Sequence, residues 1–93
     1  LKVRRLIKQD YDAAFAHGCH AVAMPASPGP AFEIGSKTAD PMAMYLEDVF
    51  TVGVNLAGLP GITVPAGTAH LVGSQLPIGV QFIGPALREN LLL

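Results

Sequence analysis

The sequence predicts an α/β fold in which the strands of a mixed sheet are flanked by helices. Two observations carry this. Ile62-Thr63-Val64 is a β-branched run fenced by Pro60-Gly61 and Pro65, as a short pleated strand favours. Leu76-Pro-Ile-Gly-Val-Gln-Phe-Ile-Gly84 is a second apolar run, again bounded by Pro and Gly. Short apolar strands that each adjoin a helix fit the interior of a sheet covered on both faces.

Taken in order, Leu1 to about His17 reads as an amphipathic helix, with Val3, Ile7, Tyr11 and Ala14 recurring at helical spacing and Leu6 and Phe15 beside them. Arg4, Arg5 and Lys8 come early and Asp10 and Asp12 late, against the macrodipole, so the helix is expected to begin upstream of Leu1. Gly18 should end it. Ala21-Val-Ala-Met24 reads as a buried strand stopped by Pro25. Pro25-Ala-Ser-Pro-Gly-Pro30 cannot be helix and is expected to be an extended loop at a strand end, where open α/β sheets place ligand sites; loop continues to Ala39. Asp40-Pro41 is a helix start, with Asp40 as N-cap and Pro41 in the first helical position. This helix should reach Val49 or Phe50, and Thr51 should cap a short second helix to Ala57, with Gly53 its weak point. Gly58 can close that helix in the left-handed conformation. The stretch 67–75 reads as a polar-leaning loop. Pro85 should end the second strand, and Leu87 to Leu93 begin a final helix.

Composition bounds the possibilities. The chain has 93 residues, enough for one small domain, yet 51% are hydrophobic and only 14% charged. A chain this short buries only about 60–65% of its unfolded surface, so this apolar balance suits part of a larger structure, and both ends read as cut. The net charge of −1 provides no global field for nucleic acid; Lys2, Arg4, Arg5 and Lys8 read as a solvated helix face. A single cysteine excludes an intrachain disulfide and suits a reducing compartment. No apolar run approaches the roughly 18 residues of a membrane span, so no membrane partner is expected.

Asn55-Leu-Ala-Gly-Leu-Pro-Gly-Ile-Thr-Val-Pro65, followed by Leu76-Pro-Ile-Gly-Val-Gln-Phe-Ile-Gly84, resembles the C-terminal region of the amidase signature family. The run Asp40-Pro-Met-Ala-Met-Tyr-Leu-Glu-Asp-Val-Phe-Thr51 narrows the resemblance to the A subunits of glutamine-dependent tRNA amidotransferases. The resemblance implies that residues 1–93 are a C-terminal fragment of a single amidase domain, truncated at both ends. It implies a whole enzyme that hydrolyses glutamine through an acyl-enzyme and passes ammonia to a partner subunit. That partner would use ATP and Mg²⁺ to activate a misacylated Glu-tRNA(Gln) or Asp-tRNA(Asn), in the cytoplasm or an organellar matrix. A stand-alone amidase acting on small amides, or a non-catalytic interaction module, are the alternatives; the Asp40–Thr51 run argues against the stand-alone amidase.

The family's Ser–Ser–Lys triad has no match here. Ser27, Ser36 and Ser74, with Lys2, Lys8 and Lys37, form no such constellation in sequence, so no catalytic residue is assigned and the segment alone is expected to be inactive. His17, Cys19 and His20 could ligate a metal, but zinc needs further ligands and only the isolated His70 remains; they read as a helix end and strand start, and no metal or cofactor site is assigned. The family often carries an acidic residue where His20 stands. Met24, Met42 and Met44 read as core packing. Asp48 is the one substrate-binding candidate. On a continuous helix its neighbours are Met44, Tyr45 and Val52, an apolar stripe at the end of a helix where negative charge is disfavoured; such a carboxylate has either a partner or a task. A structural salt bridge or exposure at the helix end is the other reading. Glu47 would lie on the more exposed side. The resemblance implies that the acidic residue matching Asp48 contacts bound glutamine.

Overall fold

Apolar side chains at helical spacing build α1 (Lys2–Ala16), and Gly18 ends its turn at φ 97°, a conformation glycine adopts without steric cost. The computed structural model describes residues 2–35, 40–71 and 73–93. After α1 come β1 (Val22–Pro25), α2 (Pro41–Leu46), α3 (Val52–Ala57), β2 (Gly61–Leu71), β3 (Ser74–Ile83) and a single 3₁₀ turn, Glu89–Leu91.

The three strands form one sheet in the order β1-β3-β2. Both pairings are antiparallel, so the expected mixed sheet gives way to an antiparallel one among the described residues. The expected pair of short strands is instead a long hairpin. Pro65 does not stop β2, because β2 is an edge strand that can carry a residue lacking an N–H donor; the register shifts between Pro65 and Gly67, and β2 continues through the stretch expected to be loop. Pro77 sits within β3 for a related reason: β1 pairs only with Val80–Ile83, so at Pro77 the central strand has one neighbour rather than two. The hairpin tip turns at Gly73, φ 77°.

Helices cover one face of the sheet. Val54 and Ala57 of α3, Leu59 and Ile83 form the buried cluster, and Ile7, Tyr11 and Phe15 of α1 pack against it with Val22 and Met24. Close approach of the two helices is visible at Gly53, where an added Cβ would stand 3.7 Å from the Tyr11 hydroxyl. By strand alternation the other face carries Ile62, Val64, Val80 and Phe82, all only half-buried; the expected cover on both faces is not provided by the described residues. Of the three methionines, Met24 packs as expected, whereas Met42 and Met44 are 63% and 41% exposed. The radius of gyration, 15.2 Å, exceeds the roughly 12 Å of a compact domain of this length. The accessible surface, 6657 Å², likewise exceeds the roughly 5,100 Å² typical for this mass.

The expected C-terminal helix is reduced to the 3₁₀ turn. Leu87 takes φ 62°, a left-handed conformation that costs a non-glycine residue roughly 1–2 kcal/mol and interrupts helical winding.

Candidate functional site

The candidate site is the segment joining α2 to α3, where Asp48 lies. Asp40 starts the segment as expected: its Oδ1 accepts from Met42 N at 3.0 Å and Ala43 N at 3.3 Å, and Pro41 follows in the first turn. The helix then ends at Leu46, shorter than expected. Tight turns take over: Asp48 N donates to Tyr45 O at 3.1 Å and Val49 N to Leu46 O at 3.3 Å. Asp48 O accepts from Thr51 N at 3.0 Å and Val52 N at 3.1 Å. Thr51 precedes α3 as expected, but its hydroxyl makes no cap bond; it donates instead to Asp48 O at 3.2 Å. Gly58 closes α3 at φ 69°.

This early helix end corrects the side-chain register. Asp48 is exposed and Glu47 half-buried, the reverse of the expected order, because helical periodicity does not run through 47–51. Met44 and Tyr45 of the expected apolar stripe are 41% and 60% exposed, while Val52 is half-buried, so most of that stripe is a surface among the described residues. The carboxylate of Asp48 is therefore presented outward from a turn.

Gln81 was not singled out by the sequence reading. It is 6% exposed and is the buried polar side chain among the described residues. Its Nε2 donates to Phe50 O at 2.9 Å, linking the central strand to the Asp48 turn. The available signal was a carboxamide inside an apolar central-strand run, which requires a partner once buried.

The other candidates are not drawn together. His17 Nδ1 lies 2.7 Å from Ala13 O, Cys19 Sγ donates to Ala21 O at 3.0 Å, and His20 is exposed. His70 Nε2 lies 3.3 Å from Gln75 Nε2 across the hairpin. No three His, Cys, Asp or Glu side chains converge among the described residues. The Pro-rich loop and the hairpin line a cavity of about 280 Å³; Ser27 Oγ there donates to Gly29 O at 2.7 Å, and among the described residues no ionisable side chain lines it. Ser36 and Lys37 lie outside the described residues. Lys2, Arg4 and Arg5 are exposed, and Lys8 pairs with Asp12 at 2.9 Å. No helix is long and apolar enough to cross a membrane among the described residues.

The amidase family matches residues 1–93, the whole chain. This chain belongs to the amidase family. Among curated relatives it is 59% identical over 92 residues to the A subunit of the glutamyl-tRNA(Gln) amidotransferase of Azorhizobium caulinodans, 98% of this chain. It is 53% identical over 93 residues to that of Deinococcus radiodurans, 100% of this chain. It is 56% identical over 93 residues to that of Roseobacter denitrificans, 99% of this chain. The chain spans only 18%, 19% and 18% of the length of these three amidase relatives, and the matched part is their C-terminal segment.

Proposed function

We propose that this chain belongs to the glutaminase subunit of a tRNA-dependent amidotransferase and supplies, in Asp48, a carboxylate that recognises glutamine. The observation that carries the reading is identity of 53–59% along essentially the whole chain to glutamyl-tRNA(Gln) amidotransferase A subunits. The outward presentation of Asp48 from a hydrogen-bonded turn agrees with it. In this reading the complete subunit hydrolyses glutamine to glutamate and ammonia, using a nucleophile that lies outside these residues. Ammonia then serves amidation of Glu-tRNA(Gln) or Asp-tRNA(Asn) on a partner subunit in the cytoplasm or an organellar matrix. In this reading ATP and Mg²⁺ are bound by that partner.

Asp48 would act by a charge-assisted hydrogen bond to the α-ammonium group of glutamine. Such a bond contributes roughly 1.5–3 kcal/mol. Asp48→Asn in the full-length protein, assembled with its partners, is therefore expected to lower glutamine kcat/KM by about one to two orders of magnitude. Amidation driven by added ammonia bypasses the glutamine site and is expected to be spared. Equal loss of both reactions would show that Asp48 supports folding or assembly. Glu47→Gln, at a half-buried and partnered position, is expected to alter stability rather than glutamine KM; a selective glutamine defect there would move the recognition role to Glu47.

A further inference from the structure

We propose that Gln81 is a positioning residue for glutamine recognition, holding the Asp48 turn in place through the backbone of Phe50. The inference rests on the reading of Asp48 given above and adds a residue from a distant part of the chain. Gln81 lies on the central strand, paired with Met24 of β1 on one side and Thr63 of β2 on the other. Its backbone is thereby fixed from both edges. Its side chain leaves the sheet on the face of Ile83, toward α3. The carboxamide Nε2 reaches Phe50 O at 2.9 Å, across 31 residues of sequence.

The carboxamide lies between strand and helix: a Cβ at Gly61 would stand 3.6 Å from Val54 Cγ1 and 3.9 Å from Gln81 Oε1, both ordinary contact distances. On the other side of the bond, Phe50 lies inside a turn closed by hydrogen bonds: Asp48 O accepts both Thr51 N and Val52 N, which ties Asp48 to the residues that follow Phe50. Upstream, Met42, Tyr45 and Leu46 are 63%, 60% and 49% exposed, so α2 gives the turn little packing to rest on. The sheet-to-turn bond from Gln81 thus sets where the Asp48 carboxylate stands.

A bond whose only task was cohesion would, when removed, lower the amount of folded enzyme and both reactions together. A bond that positions Asp48 acts on glutamine binding. The test uses the full-length protein in its assembled complex with glutamine, or ammonia, as nitrogen donor. Gln81→Met keeps the length of the side chain and removes the donor. It is expected to raise glutamine KM about tenfold with little change in kcat per folded enzyme, and to spare the ammonia-dependent reaction. Asp48→Asn combined with Gln81→Met is expected to show no further rise in KM beyond Asp48→Asn alone, because both remove one interaction. Parallel loss of both reactions, or multiplicative effects in the double variant, would overturn the proposal. A normal KM in Asp48→Asn would instead overturn the reading of Asp48; a raised KM there with a normal KM in Gln81→Met would overturn the positioning role alone. If Gln81→Met does not fold, Gln81→Asn, one methylene short, takes its place. Hydrogen exchange of a peptide spanning 47–52 should then accelerate while peptides from α1 keep their protection, and unchanged exchange in 47–52 would refute the tie.

Discussion

Two isoleucines toward opposite ends of one strand of the β2–β3 hairpin have opposite environments. Ile78 and Ile83 lie on the same strand, yet one is 36% exposed and the other fully buried. At the Ile83 end, β1 adds a third strand and α3 and α1 close over one face. At the Ile78 end there are two strands, and most described residues from Gly67 to Ile78 are exposed. Strand propensity is satisfied at both ends; burial is supplied only where other elements arrive. The candidate site is tied to the buried end through Gln81 and Phe50, where a hydrogen bond can fix a position.

Substitutions can break or sharpen this contrast, measured as denaturation midpoints of the full-length protein. The largest effect is expected from Ile83→Ala, which should cost about 2–5 kcal/mol by lost burial and cavity formation, against under about 1 kcal/mol for Ile78→Ala if that end stays exposed in the complete protein. Comparable losses would show that the far end is buried by residues outside this chain. Next comes Gly58→Ala. The left-handed conformation costs a residue with a Cβ about 1–2 kcal/mol, and α3 cannot shift to relieve it without disturbing Val54 and Ala57. Gly73→Ala has the same backbone sign, φ 77°, but sits at an exposed tip that can change turn type, so a smaller loss is expected there; equal losses would mean the tip is held as firmly as the helix end. Asp40→Ala should cost about 1 kcal/mol through two lost cap bonds, while Thr51→Ala, whose hydroxyl caps no helix N–H, should cost less. A reversal of that order would place α2 outside the stabilised part of the fold. The smallest effect is expected from Lys8→Ala: the pair with Asp12 is 43% and 47% exposed, and such pairs contribute a few tenths of a kcal/mol.

The 93-residue chain studied by itself offers one more contrast. With four buried apolar side chains in its core cluster among the described residues and an apolar sheet face only half covered, it is expected to bind a dye that reports exposed apolar surface and to lack a sharp cooperative melt. A monomer with a steep transition would show that the buried end suffices for an independent domain.

Sequence alone determined what local chemistry decides. Helix α1, its end at Gly18, the Asp40-Pro41 start, the left-handed end at Gly58 and the strand character of Ile62–Val64 each follow from a few adjacent residues. Asp48 was legible as a candidate because a carboxylate stood in an apolar context and matched a family pattern. Tertiary structure decided the rest. Pro65 read as a strand break until the sheet showed that its position had no second neighbour to serve, and Pro77 is carried within β3 on the same ground. The exposure of Asp48 and Glu47 depended on where α2 stopped, and helical periodicity carries no information past that point. Gln81 acquired its role only when folding brought Phe50 to within 2.9 Å of its side chain. A hydrogen bond across 31 residues leaves no periodic trace, because its partner is a backbone carbonyl, which every residue has.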